Sequence, residues 1–158
     1  MGADYLGVNR PSDTFMKIKE GANFGWPYCY QAGSKVYPDP KFNPRAVKLD
    51  CRKLPLANTA FEAHSAPLGF EYFGPEATTE LHNSYLVALH GSTRKSLGRG
   101  YKLVRVPAAS PAAPQDFLTG FLQGDKVNGR PADVFRYGSD AFLVTDDRAG
   151  VVYYVYRK

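Results

Sequence analysis

Residues 128–157, NGRPADVFRYGSDAFLVTDDRAGVVYYVYR, hold the reading on which the fold turns. A proline opens a strand, Gly138-Ser139 turns it back, and an apolar run ends in Asp146-Asp147. A turn at Gly150 then leads into an aromatic-rich strand. The same order occurs upstream: HSAPLGFEYF (64–73), NSYLVALHGSTR (83–94) and GYKLVRV (100–106). Pro67 answers Pro131, Leu86-Val87 answers Leu143-Val144, and Gly100 answers Gly150.

A three- or four-stranded antiparallel unit repeated in tandem is the sequence form of a β-propeller. The expected fold is therefore all-β, with about two four-stranded antiparallel blades and a disulfide-tied loop region. Residues 1–60 read as the end of a preceding blade plus a long loop, 61–125 as the first full blade, and 126–158 as a second blade without its outer strand. Two blades do not close a ring. A chain of 158 residues can hold one domain with a substantial core. Aromatics at 14%, with many Gly and Pro and only two Met, favour strands and tight turns.

No apolar run reaches the length of a membrane span, and no signal peptide is visible at the N-terminus. The start, MGAD, reads as truncated or internal. The net charge of +5 suggests a polyanion, but the Lys and Arg are scattered and no RNA-binding signature is present. The charge fits either a mildly basic surface or a local pocket for a small anion. Cys29 and Cys51 flank a segment with neither helical nor alternating period, so 28–60 reads as a long loop in need of a tie. A disulfide supplies one, worth ~3 kcal/mol by loop entropy, and an even cysteine count suits an oxidising compartment. Two unrelated buried thiols are the other reading.

Strands are expected near 13–19, 67–73, 84–90, 101–106, 116–122, 132–137, 140–146 and 150–157, with little helix. Phe15, Met16 and Ile18 read as core, and Trp26 as an anchor beneath a loop. In an up-and-down blade the start of the first strand and the end of the second share one face. That brings His64-Ser65 and His90-Gly91-Ser92-Thr93-Arg94 together with Gly129-Arg130 and Asp146-Asp147-Arg148. Each of these also has a plainer reading. His64 can cap a strand, His90 can bond its own turn, and Asp146-Asp147 is a good turn former. His82 falls in a hairpin loop exposed to solvent. Arg130 is the strongest functional candidate, because a guanidinium at a channel mouth suits a carboxylate.

The ordered set NFGWP (23–27), HSAPLGF (64–70), HGS (90–92), GYKLVRV (100–106), TGF (119–121), GRP (129–131) and TDD (145–147) resembles the PQQ-dependent sugar dehydrogenases. Within them it is most similar to the sorbosone and glucose dehydrogenase-like branch. The resemblance runs from about residue 4 onward and implies the C-terminal portion of a six-bladed propeller several hundred residues long. It implies an oxidoreductase in which a base removes the proton of the anomeric hydroxyl while hydride passes to the quinone. It further implies PQQ bound by Arg and Lys near the axis, with calcium beside the ring. Arg130 falls on a cofactor-contacting position, and Arg94 near a cofactor-contacting Lys. A second family Arg is replaced by Ala132. His90 and His64 complete the candidate cofactor-binding set. Asp4 and Gly7 lie near the backbone that supplies calcium.

The family's catalytic base belongs to earlier blades, so no residue here is expected to be catalytic. The implied partners are a sugar and missing blades, from another chain or from a homo-oligomer such as a trimer of two-bladed copies. Unpaired sheet edges favour such pairing. Nucleic acid and a membrane span are not expected. The implied location is periplasmic or secreted. Two other readings stand beside the dehydrogenase: a non-catalytic segment that self-assembles into a closed ring, and a sugar- or ligand-binding module without redox chemistry.

Overall fold

The computed structural model describes residues 4–77, 80–109 and 113–157. The chain divides into two compact units, Met1–Ala63 and His64–Lys158. Among the described residues regular structure is strand, with short 3-10 turns at Asp4–Leu6, Cys51–Lys53 and Lys95–Leu97.

The first unit holds β1 (Asp13–Phe15), β2 (Cys29–Ala32), β3 (Lys35–Pro38) and β4 (Thr59–Phe61). β1 pairs antiparallel with β4, and β2 with β3, where Tyr30 lies opposite Tyr37. The rings of Tyr30 and Tyr37 stack at 5.8 Å. Cys29 and Cys51 are joined by a disulfide across 5.7 Å between Cα atoms, and both are buried. The segment 28–60 is therefore tied as expected, but it is not structureless. Besides the β2–β3 hairpin, Asp39 Oδ1 accepts the amides of Lys41 and Phe42 at 2.8 and 3.0 Å. The fully buried Asn43 donates to the Leu49 carbonyl at 2.9 Å and accepts the Lys48 amide at 3.1 Å. Local side-chain bonds of this kind replace a ladder and leave no hydrophobic period to read.

Two other expectations in this unit are corrected. The strand expected over 13–19 ends at Phe15, and Ile18 is 75% exposed, so the core contribution is confined to the half-buried Phe15 and Met16. Trp26 is 84% exposed and anchors nothing. Close packing at this turn falls instead to Gly25, where a Cβ would lie 2.6 Å from Leu54 Cδ1 and 2.8 Å from Cys29 Cβ.

The second unit contains two antiparallel meanders. The first is β5 (Pro67–Phe73), β6 (Ser84–Leu89), β7 (Lys102–Pro107) and β8 (Gln115–Leu118), in the order 5-6-7-8. A short ribbon of β9 (Leu122–Gln123) and β10 (Lys126–Val127) follows. The second meander is β11 (Pro131–Arg136), β12 (Ala141–Asp146) and β13 (Val151–Tyr156), in the order 11-12-13. These are neighbouring blades of β-propeller type, and the strand positions follow the sequence expectation closely. β8 is shorter than expected because it stops at Leu118.

Alternating side chains of both sheets meet in one core of Phe73, Leu86, Ala88, Leu103, Val134, Phe142 and Val144. Burying each of the Phe, Leu and Val side chains contributes about 1.5–3 kcal/mol. Both inner strands open on proline and then bulge, between Pro67 and Phe70 and between Pro131 and Asp133. The two bulges touch: a Cβ on Gly69 would sit 1.8 Å from Asp133 Oδ1, so only glycine admits this approach.

Candidate functional site where the two sheets join

The end of β6 is held against the chain that leads into β5. The Ala66 carbonyl accepts the His90 amide at 2.9 Å, and the Ser65 carbonyl accepts the Gly91 amide at 2.9 Å. Three non-glycine residues here adopt left-handed backbone: His64 (φ 68°), Ala66 (φ 53°) and Tyr101 (φ 56°). Such residues cost on the order of 1–3 kcal/mol each and gather where a site is preorganised. Gly91 and Gly100 make the knot possible. A Cβ on Gly100 would stand 2.5 Å from the Ser65 carbonyl oxygen, and one on Gly91 would stand 2.6 Å from the Tyr101 ring. Tyr101 is buried, and its hydroxyl donates to the Ser92 carbonyl. His64 Nε2 is buried here without a hydrogen-bond partner among the described residues.

The second sheet grips this knot through Arg130 and Asp147. Arg130 Nε donates to the His90 carbonyl at 3.1 Å, and Nη2 donates to the Gly91 carbonyl. The guanidinium lies 5.6 Å from the centre of the Tyr101 ring, a cation–π contact. Its own amide donates to Asp146 Oδ1 at 2.9 Å. Asp146 is buried and structural: Oδ1 also accepts the amides of Arg148 and Ala149, while Oδ2 accepts the Tyr153 hydroxyl at 3.2 Å. Burial, together with the charge and hydrogen bond of Asp146, pushes the Tyr153 hydroxyl up.

Asp147 does something different. Its two oxygens lie 2.9 and 3.0 Å from His90 Nε2. The hydrogen bond from His90 leads in holding its carboxyl below the usual carboxylate range, against slight burial and with help from the charges of His90 and Arg130. The convergence of His90, Arg130 and the Asp146–Arg148 turn, expected from strand order, is thus present within this unit. Arg94 is exposed on the loop after β6, where its amide donates to Ser92 Oγ at 3.0 Å. His82 is exposed in the β5–β6 hairpin, 3.1 Å from the Pro75 carbonyl.

Sequence reasoning treated Asp147 as a turn former and did not single out Tyr101. The repeat sets Thr145-Asp146-Asp147 at the end of β12 against Ala88-Leu89-His90 at the end of β6, so that Asp147 answers His90, and this is the available signal for Asp147. No local pattern marked Tyr101, whose role comes from burial beneath a guanidinium.

In the first unit, the Asp4–Leu6 turn precedes an exposed Gly7 whose carbonyl faces the Arg10 amide at 3.5 Å. No cluster of three or more His, Cys, Asp or Glu suited to a metal occurs among the described residues. The exposed Trp26 borders a groove of about 200 Å³ with Ser12, Thr14, Met16, Phe24 and Tyr30. No helix among the described residues is long and apolar enough to cross a membrane.

A family model described as TrAA12-like matches residues 4–157. An uncharacterized protein of Borreliella burgdorferi is 34% identical over 164 residues, spanning 98% of this chain and 41% of that protein. The calcium structure of the Trichoderma reesei carbohydrate-active enzyme of family AA12 superposes with a TM-score of 0.68 at 19% identity, over 94% of this chain and 44% of that one. The holo form of the pyranose dehydrogenase PQQ domain from Coprinopsis cinerea gives 0.64 at 21% identity, over 95% and 45%. The chain thus spans less than half the length of each of these proteins.

Proposed function

Because the chain belongs to the TrAA12-like family, we propose that it forms the C-terminal portion of a PQQ-dependent sugar dehydrogenase and supplies part of the anion-binding wall for the quinone. The observation that carries this is Arg130. Its guanidinium is fixed by two backbone carbonyls and the Tyr101 face. A cation preorganised in this way loses little entropy on meeting a carboxylate. Arg130 and the exposed Arg94 supply positive charge of the kind a tricarboxylate quinone requires. PQQ, when bound, accepts the hydride of a sugar C–H.

The residues of this chain would bind and orient the cofactor and hold the wall rigid. The base that takes the hydroxyl proton would come from blades outside this chain. By family resemblance alone, calcium would be held through backbone carbonyls near Asp4 and Gly7. The buried disulfide suits a periplasmic or secreted protein.

Titration of PQQ, followed by its own absorbance, tests the reading. The intact chain should perturb the quinone spectrum. Arg130→Ala should weaken binding by roughly 10- to 100-fold, the worth of one charge-assisted hydrogen bond. Equal binding by a variant that melts like the parent would overturn the assignment.

A second reading, sugar binding without redox chemistry, rests on Trp26. An exposed indole beside hydroxyl-bearing Ser12 and Thr14 offers the flat apolar surface on which a pyranose ring can stack. Saturable quenching of Trp26 by monosaccharides, with no response to PQQ, would favour that reading.

A further inference from the structure

His90 is held at three points. Its amide donates to the Ala66 carbonyl at 2.9 Å, and its carbonyl accepts Arg130 Nε at 3.1 Å. Its ring is fixed by Asp147, whose two oxygens lie 2.9 and 3.0 Å from Nε2. That bond holds the Asp147 carboxyl low, and an ionised carboxylate only accepts, so the proton between the two rides on Nε2. The other ring nitrogen, Nδ1, has no partner among the described residues and is not buried. One nitrogen is committed and the other is offered. The seam between the sheets does not need this contact for its strength. Phe73 and Phe142 pack across it, Arg130 ties two carbonyls, and at the far end of β11 Arg136 pairs with Glu76 and gives its amide to Glu71. Asp147 is 59% exposed, and an ion pair so open to water adds little stability.

We propose that Asp147 is a positioning residue: it fixes the His90 ring so that Nδ1 receives a carboxylate of the ligand, and binding is linked to protonation of that ring. Only the imidazolium has two donors, Nε2–H for Asp147 and Nδ1–H for the incoming carboxylate. The neutral ring, with Nε2–H already committed, would meet the carboxylate with a lone pair. Binding therefore takes up a proton from solution, and affinity falls as pH rises. The identity of the anion rests on the cofactor reading above; the tautomer does not. The charged and titratable groups around the ring are Asp147 at the end of β12, Arg130 before β11 and Tyr101 before β7. His64 before β5 and Arg94 after β6 lie on the adjoining segments. Arg130 stays charged throughout, and His64 is the other imidazole among these groups, so His90 itself must be replaced to assign the linkage.

The test pairs ring-nitrogen NMR of the isotope-labelled chain with PQQ titration across pH. The chain has three histidines, and His90 is assigned by the signals lost in His90→Gln. In the unliganded parent the neutral His90 ring should carry its proton on Nε2 alone. In Asp147→Ala its signals should average over both tautomers, while the variant melts near the parent temperature. The PQQ affinity of the parent, read from the quinone absorbance, should fall roughly threefold or more from about pH 6 to about pH 8. His90→Gln should lose that dependence, and Asp147→Ala should bind about three- to tenfold more weakly than the parent at the lower pH. Ring signals unchanged by Asp147→Ala, or a pH profile in His90→Gln that matches the parent's, would overturn the proposal. A parent that gives no PQQ response at either pH would instead overturn the cofactor reading, and with it the carboxylate named here.

Discussion

Arg130 acts first as a strut and only then as a cation. Two of its guanidinium nitrogens hold the His90 and Gly91 carbonyls of the neighbouring sheet. For that reason Arg130→Ala must be judged with a stability control beside the titration. Another residue with a readable consequence is Tyr5, whose hydroxyl donates to Asp39 at 2.6 Å. That hydrogen bond, with some burial and the negative charge of Asp39, raises the Tyr5 hydroxyl from 10.0 to about 12. A raised folded-state value stabilises below the unfolded one and is lost as pH climbs through the shifted one. The first unit should therefore lose this contribution between pH 10 and about 12. Denaturant melts over that range should show a decline that Tyr5→Phe removes; an identical decline in the variant would refute the assignment. Arg130 and the paired prolines stood out in the chain itself. Asp147 and Tyr101 did not, since their roles depend on partners 57 and 9 residues away.

At the scale of elements, period-two patterning located the strands of the second unit because each sheet buries one face against the other. The same reasoning found no pattern in 28–60, where Asp39, Asn43 and the disulfide organise the backbone. The disulfide's contribution is accordingly large for its surroundings. Cys29→Ser/Cys51→Ser should lower the stability of the first unit by ~3 kcal/mol, on the loop-entropy estimate. Amide exchange across residues 29–51 reports it: protection should fall in the variant and in reductant alike. Unchanged protection would mean that the side-chain network suffices. Ile18 and Trp26 show the opposite error, since an apolar residue need not be a buried one.

For the whole molecule, the matched relatives are more than twice as long as this chain. Under the proposed function the isolated chain should bind PQQ yet oxidise no aldose with an artificial electron acceptor. Turnover by the chain alone would place a base within it and refute the division of labour. The sequence by itself determined the tandem antiparallel units, most strand positions of the second unit and the family resemblance, because alternation, turn residues and motif order are local properties of the chain. Only the tertiary structure decided that Arg130 braces a neighbouring sheet, that His90 is held by Asp147, that Cys29 and Cys51 are joined and that Trp26 is exposed. Each of these depends on which distant segments meet, and packing sets that while no short window of sequence records it.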